Sequence, residues 1–193
     1  MASMPKVLAF AGSARRDSWN KKALAIAVAA ARGKGADVTV VDFAELPLPL
    51  YDGDLEDAHG LPENVKRWKQ LLLSHDALLI SAPEYNSSIT PLLKNAIDWA
   101  SRPAPNEAPL GCFKGKVAGL IAASPGALGG LRGLVIMRSL LGNIGVLVLP
   151  EQHALAKAHE AFDANGKLVD PKQQESIARV AERLVDVSAR MKN

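Results

Sequence analysis

Short apolar runs alternate along the chain with longer segments whose apolar positions recur every three or four residues. The runs are residues 7–11, 38–41, 77–81, 117–123 and 146–149. Each is apolar on both faces, the pattern of parallel strands buried above and below. The longer segments carry helical stripes. One is Ala23, Ile26, Ala27, Ala30 and Ala31; others are Val65, Trp68 and Leu72, then Leu92, Ala96 and Trp99, then Ile177, Val180, Ala181 and Leu184. Residues 131–141 make a fifth, less cleanly amphipathic helix. The order βαβαβαβαβα predicts an α/β fold, a parallel sheet with helices on both faces joined by right-handed crossovers. Residues 43–60 and 102–115, with their prolines and glycines, read as linkers, and residues 163–166 as a tight turn. The length, 193 residues, predicts a single domain over 1–193.

Composition narrows the function classes. With 48% apolar and 22% charged residues the chain is an ordinary globular one, not a disordered one. Its single cysteine excludes an internal disulfide framework. No apolar run approaches the roughly 20 residues a membrane helix needs. Nor does the start read as a signal peptide, so a cytoplasmic location is expected. The net charge of +3 is too small to argue for a nucleic-acid partner. Its placement is more telling. Arg15, Arg16, Lys21 and Lys22 crowd the start of the first helix, where the helix dipole disfavours cations and only Asp17 opposes them. A bound phosphate would supply the missing negative charge.

Ligands in open α/β sheets bind beyond the carboxyl ends of the strands. Three loops there carry ligand chemistry. The first, Gly12-Ser13-Ala14-Arg15-Arg16-Asp17-Ser18-Trp19-Asn20, offers hydroxyls, an amide and helix N–H groups to a phosphate. It lacks the glycines of a dinucleotide fingerprint or a P-loop and suits a terminal monophosphate such as that of FMN. The second, Pro83-Glu84-Tyr85-Asn86 onward, is held before a helix that Thr90 caps and Pro91 opens. It suits a planar heteroaromatic ligand. In the third, Ser124-Pro125-Gly126 with Gly129-Gly130, the glycines would let backbone approach a ligand closely. Elsewhere, His59, His75, His153 and His159 show no metal spacing, so no metal is expected. Cys112 fits no phosphatase pattern, and no acid–base pair or triad stands out, as suits chemistry carried by a cofactor.

Together with Leu93-Lys94-Asn95-Ala96-Ile97-Asp98-Trp99-Ala100-Ser101-Arg102-Pro103, these motifs resemble the NAD(P)H-dependent FMN reductase family, which includes quinone, chromate and azo-dye reductases. The resemblance covers roughly residues 5–150. It implies a flavodoxin-like fold with five parallel strands in the order 2-1-3-4-5. It also implies electron transfer from NADPH or NADH through bound FMN to a small acceptor, by a ping-pong scheme with no obligatory catalytic side chain. Ser13, Arg15, Ser18 and Asn20 would hold the FMN phosphate. Pro83, Glu84, Tyr85 and Asn86 would lie along the ribityl chain and ring, with Ser124 and Gly126 bordering its other side. Lys94, Asn95 and Asp98 would fix a contact in a homodimer or homotetramer. The family usually has Pro-Gly where this chain has Thr90-Pro91, and often Gly at Ser87. The rival readings are a flavodoxin-like electron carrier, a flavin-binding regulatory module and a Rossmann dehydrogenase.

Overall fold

The five apolar runs form one parallel sheet in a computed structural model that describes residues 4–192. Its strands are β1 (Lys6–Ala11), β2 (Asp37–Val41), β3 (Ala77–Ser81), β6 (Val117–Ala123) and β7 (Leu147–Leu155), ordered β2-β1-β3-β6-β7. This is the expected 2-1-3-4-5 order; a two-stranded hairpin, β4 (Glu84–Tyr85) with β5 (Ser88–Ile89), adds the intervening numbers. The helices are α1 (Trp19–Gly33), α2 (Gly53–His59), α3 (Glu63–Leu73), α4 (Pro91–Ser101), α5 (Leu131–Asn143), α6 (Ala158–Ala161) and α7 (Pro171–Met191).

Alternation along the strands divides the core. Val7 and Ala9 of β1 face α1 and α7, while Leu8 and Phe10 face α3, α4 and α5. Phe10, Phe43 and Trp68 meet edge to face at 5.1–5.9 Å, and Trp68 Nε1 donates to the carbonyl of Ala96 at 2.9 Å. Burial of this apolar surface supplies the main stabilising term of the fold.

Two local expectations change. Residues 43–60 are not a plain linker: Asp52 accepts from the N–H groups of Asp54 and Leu55 and starts α2. The segment is also tied to α4. Asn95 accepts from Tyr51 N–H and donates to Pro49 O, both at 2.8 Å, and Trp99 Nε1 donates to the same carbonyl at 2.7 Å. Asn95 thus ties this segment to α4, and Lys94 pairs with Asp98 along one helix face at 2.7 Å. Finally, the last strand continues through Pro150 to Leu155 across a bulge opposite Ala118–Leu120. A proline can occupy a bulge because no ladder N–H is required there. The Arg138 guanidinium stitches this bulge, donating to Leu149 O at 2.7 Å and to Gln152 Oε1 at 3.0 Å. The turn at residues 163–166 forms as expected, with Asp163 Oδ1 accepting from Asn165 and Lys167 N–H.

Candidate functional site

The loops after β1, β3 and β6 meet at the carboxyl edge of the sheet around a cleft of about 260 Å³. Of the ten residues singled out from the sequence, Ser13, Arg15, Ser18, Asn20, Pro83, Glu84, Tyr85 and Ser124 line it, whereas Asn86 and Gly126 do not.

The first two loops are locked together. Gly12 N–H donates to Ser81 O at 2.9 Å, and Thr90 Oγ1 donates to Gly12 O at 2.8 Å while capping Leu93 N–H at 3.2 Å. A Cβ on Gly12 would lie 3.0 Å from Leu93 Cβ and 3.1 Å from Pro83 Cδ, so the glycine permits this close approach. Glu84 ties the second loop to the third. One carboxylate oxygen meets the Arg132 guanidinium at 2.9 Å; the other accepts from Gly133 N–H at 3.0 Å and so caps α5. Glu84 thus acts through its neighbours, and Arg132 is a residue that sequence spacing did not single out.

Asn20 lines the floor of the cleft, but its amide is engaged in bonds within the protein. Its Nδ2 donates to Ala123 O at 2.8 Å; its Oδ1 accepts from Ser81 Oγ–H at 2.9 Å and from Ala123 N–H at 3.0 Å. The side chain expected on a phosphate instead joins the start of α1 to the ends of β3 and β6.

The cluster of four cations is also smaller than the sequence suggested. Lys21 pairs with Asp42 at 2.6 Å, and Lys22 lies over the Phe162 ring. Burial pushes the Asp42 carboxyl up, but its hydrogen bonds from Lys21 and Ala44 and the Lys21 charge outweigh this and hold it below the usual range. Arg15 alone of the four lines the cleft, and its side chain makes no ion pair or hydrogen bond among the described residues. The start of α1 is equally uncommitted. Ser18 sits at the cap position, but its hydroxyl makes no capping bond, and the first turn contains no acid. By contrast α2, α4 and α7 are capped by Asp52, Thr90 and Asp170, and α5 by Glu84. The leading N–H groups of α1 have no intrahelical partner, so they and Arg15 present positive potential to the cleft. This donor set fits a phosphate group.

Residues 5–160 match the family described as NADPH-dependent FMN reductase. The chain belongs to this family. It is accordingly an oxidoreductase with FMN as cofactor and NAD(P)H as reductant. It is 38% identical over 180 residues to an NAD(P)H-dependent FMN reductase of Pseudomonas aeruginosa, covering 93% of this chain and 92% of the relative. A 2-hydroxy-1,4-benzoquinone reductase of a Burkholderia species is 35% identical, with 85% of each chain covered. Among solved structures, the flavoenzyme NAD(P)H:(acceptor) oxidoreductase FerB of Paracoccus denitrificans matches with a TM-score of 0.81 and 31% identity. That match covers 96% of this chain and 98% of the other.

Ser87 occupies a backbone position that favours glycine. Asn86 and Ser87, at φ 50° and 66°, are the two turn residues of the β4–β5 hairpin. Such a turn favours Asn first and Gly second, because side chains other than those of Asn and Asp are strained at positive φ. Ser87→Gly should therefore raise stability by about 0.5–1 kcal/mol, or roughly 1–4 °C in melting temperature. Thermal unfolding of the two proteins checks this.

Proposed function

We propose that the cleft holds FMN, with its phosphate on Ser13, Ser18, Arg15 and the leading N–H groups of α1. Asn20 acts on the phosphate from behind, by fixing where α1 begins. The backbone of Pro83, Glu84 and Tyr85 and of Ser124 and Pro125 flanks the ribityl chain and ring, with Asn86 and Gly126 just outside the cleft. One observation carries this reading: α1 opens onto the cleft with no capping side chain and no acid, beside an Arg15 that has no carboxylate partner among the described residues. Bound there, FMN supplies two-electron chemistry, accepting reducing equivalents from NADPH or NADH and passing them on.

The chain's own residues orient and shield. Glu84 and Arg132 fix the separation of the second and third loops, and Tyr85, exposed at the mouth, narrows access to the ring position. NAD(P)H and acceptor would use this cleft in turn, and ping-pong kinetics would follow. The acceptor would be a small molecule: a quinone, free flavin, chromate or an azo compound. The quinone reductases among the relatives make a quinone the first to try. We also infer a cytoplasmic homodimer or homotetramer. The exposed apolar side chains of Leu131, Val135 and Ile136 on α5 support a covered face.

A visible spectrum of the protein incubated with FMN and freed of excess tests the reading. A retained yellow chromophore that bleaches on anaerobic NADPH or NADH, and recovers with a quinone, is expected. Loss of all flavin on desalting would overturn it. Retention without bleaching by either nucleotide would instead favour an electron carrier or a binding module.

A further inference from the structure

We propose that Trp19 is a positioning residue that holds the Arg15 guanidinium ready for a phosphate, an inference that rests on the FMN reading above. Arg15 Cζ lies 5.7 Å from the Trp19 ring centroid, a cation–π contact. No carboxylate holds Arg15 among the described residues, so the indole face is what fixes it. The choice of an aromatic partner matters electrostatically. A carboxylate would cancel the charge that the cleft needs, whereas an aromatic face restrains the guanidinium and leaves its N–H donors available. Trp19 can serve as a fixed platform because it is the first residue of α1 and packs on the core beside the helix. Arg15 N–H also donates to Ser13 Oγ at 3.3 Å, so the same short loop sets both the backbone and the head group.

Trp19 itself lines the cleft beside Arg15, so the role assigned to it is one that acts through the guanidinium and therefore only on ligands that bear a phosphate. The test compares binding of FMN with binding of riboflavin, which lacks the phosphate, across variants. Trp19→Leu should weaken FMN about fivefold and leave riboflavin unchanged, while Trp19→Phe, which keeps an aromatic face, should stay within about twofold of wild type. In an Arg15→Ala background, Trp19→Leu should have no further effect on FMN, because the two residues act through one contact. Arg15→Lys, which leaves the indole in place, reads the contact from the other side and should weaken FMN but not riboflavin. Additive effects of Arg15→Ala and Trp19→Leu would overturn the proposal, as would equal weakening of FMN and riboflavin by Trp19→Leu. Wild-type protein that binds riboflavin as tightly as FMN would overturn the phosphate site itself. Discrimination for FMN that survives Trp19→Leu would overturn only the role of Trp19.

Discussion

Asn20→Ala will lower stability by about 3 kcal/mol and weaken flavin binding at least tenfold. The alanine leaves Ala123 N–H, Ala123 O and the Ser81 hydroxyl without their present partner in a buried place. Each orphaned buried group costs roughly 1–3 kcal/mol, and water admitted to the vacated space recovers part of the total. For a chain of this length the loss corresponds to a fall of about 6–12 °C in melting temperature. The effect on flavin follows from the position of the three bonds. They set the distance between the start of α1, which carries the phosphate donors, and the strand ends that carry the ring loops.

Asn20→Asp separates the two halves of the network. The carboxylate can still accept from Ser81 and Ala123, but it faces the Ala123 carbonyl without a donor, so it should be intermediate in stability. Riboflavin binding gives the sharper reading. A loosened clamp weakens riboflavin and FMN alike, whereas loss of a phosphate ligand would weaken FMN only. Unchanged stability with a selective loss of FMN would return Asn20 to the phosphate and refute the clamp.

Which parts of this were legible beforehand follows from how far apart the partners lie. The five strands were readable because a buried parallel strand needs only local apolarity. Thr90-Pro91 was readable as a helix start because a cap and its helix are adjacent. Asn20 was found as a site residue, but its role was not, since its partner Ala123 is 103 positions away. Arg132 was missed for the same reason, lying 48 positions from Glu84. Lys69 is a third case. Its stripe neighbours Val65, Trp68 and Leu72 are apolar, yet its buried ammonium caps the end of α4 through Ala100 O and Arg102 O and pairs with Glu107 at 2.9 Å. The charge cluster misled in the opposite direction. Counting cations along the chain could not show that Asp42, at the end of another strand, neutralises Lys21.

The glycines of the third loop give the other large effect, and they reverse a sequence expectation. Gly129 and Gly130 were read as letting backbone approach a ligand. The approach they permit is internal. At Gly129, φ is 64°, and a Cβ would lie 2.7 Å from the carbonyl carbon and oxygen of Ala154 and from Ala156 N. Those atoms are backbone of β7 and the turn after it, which is itself tied to the loop through Ser124 N–H to Leu155 O at 3.1 Å and Ala158 N–H to Ser124 O at 3.0 Å. No side chain can rotate away to make room.

Gly129→Ala therefore combines an overpacked contact with a left-handed alanine, together costing about 3–5 kcal/mol and lowering the melting temperature by roughly 6–20 °C. Gly126→Ala is the internal control: its added Cβ would meet only Ser124 Oγ, at 3.6 Å, and its stability should stay within about 0.5 kcal/mol of wild type. Thermal unfolding of both variants without flavin decides the matter, because a glycine kept for a ligand would matter only when the ligand is bound. A Gly129→Ala protein as stable as wild type, but with impaired FMN binding, would restore the ligand reading. A destabilised one shows that the third loop is shaped by the edge strand behind it, so that the cleft is set by packing before any flavin arrives.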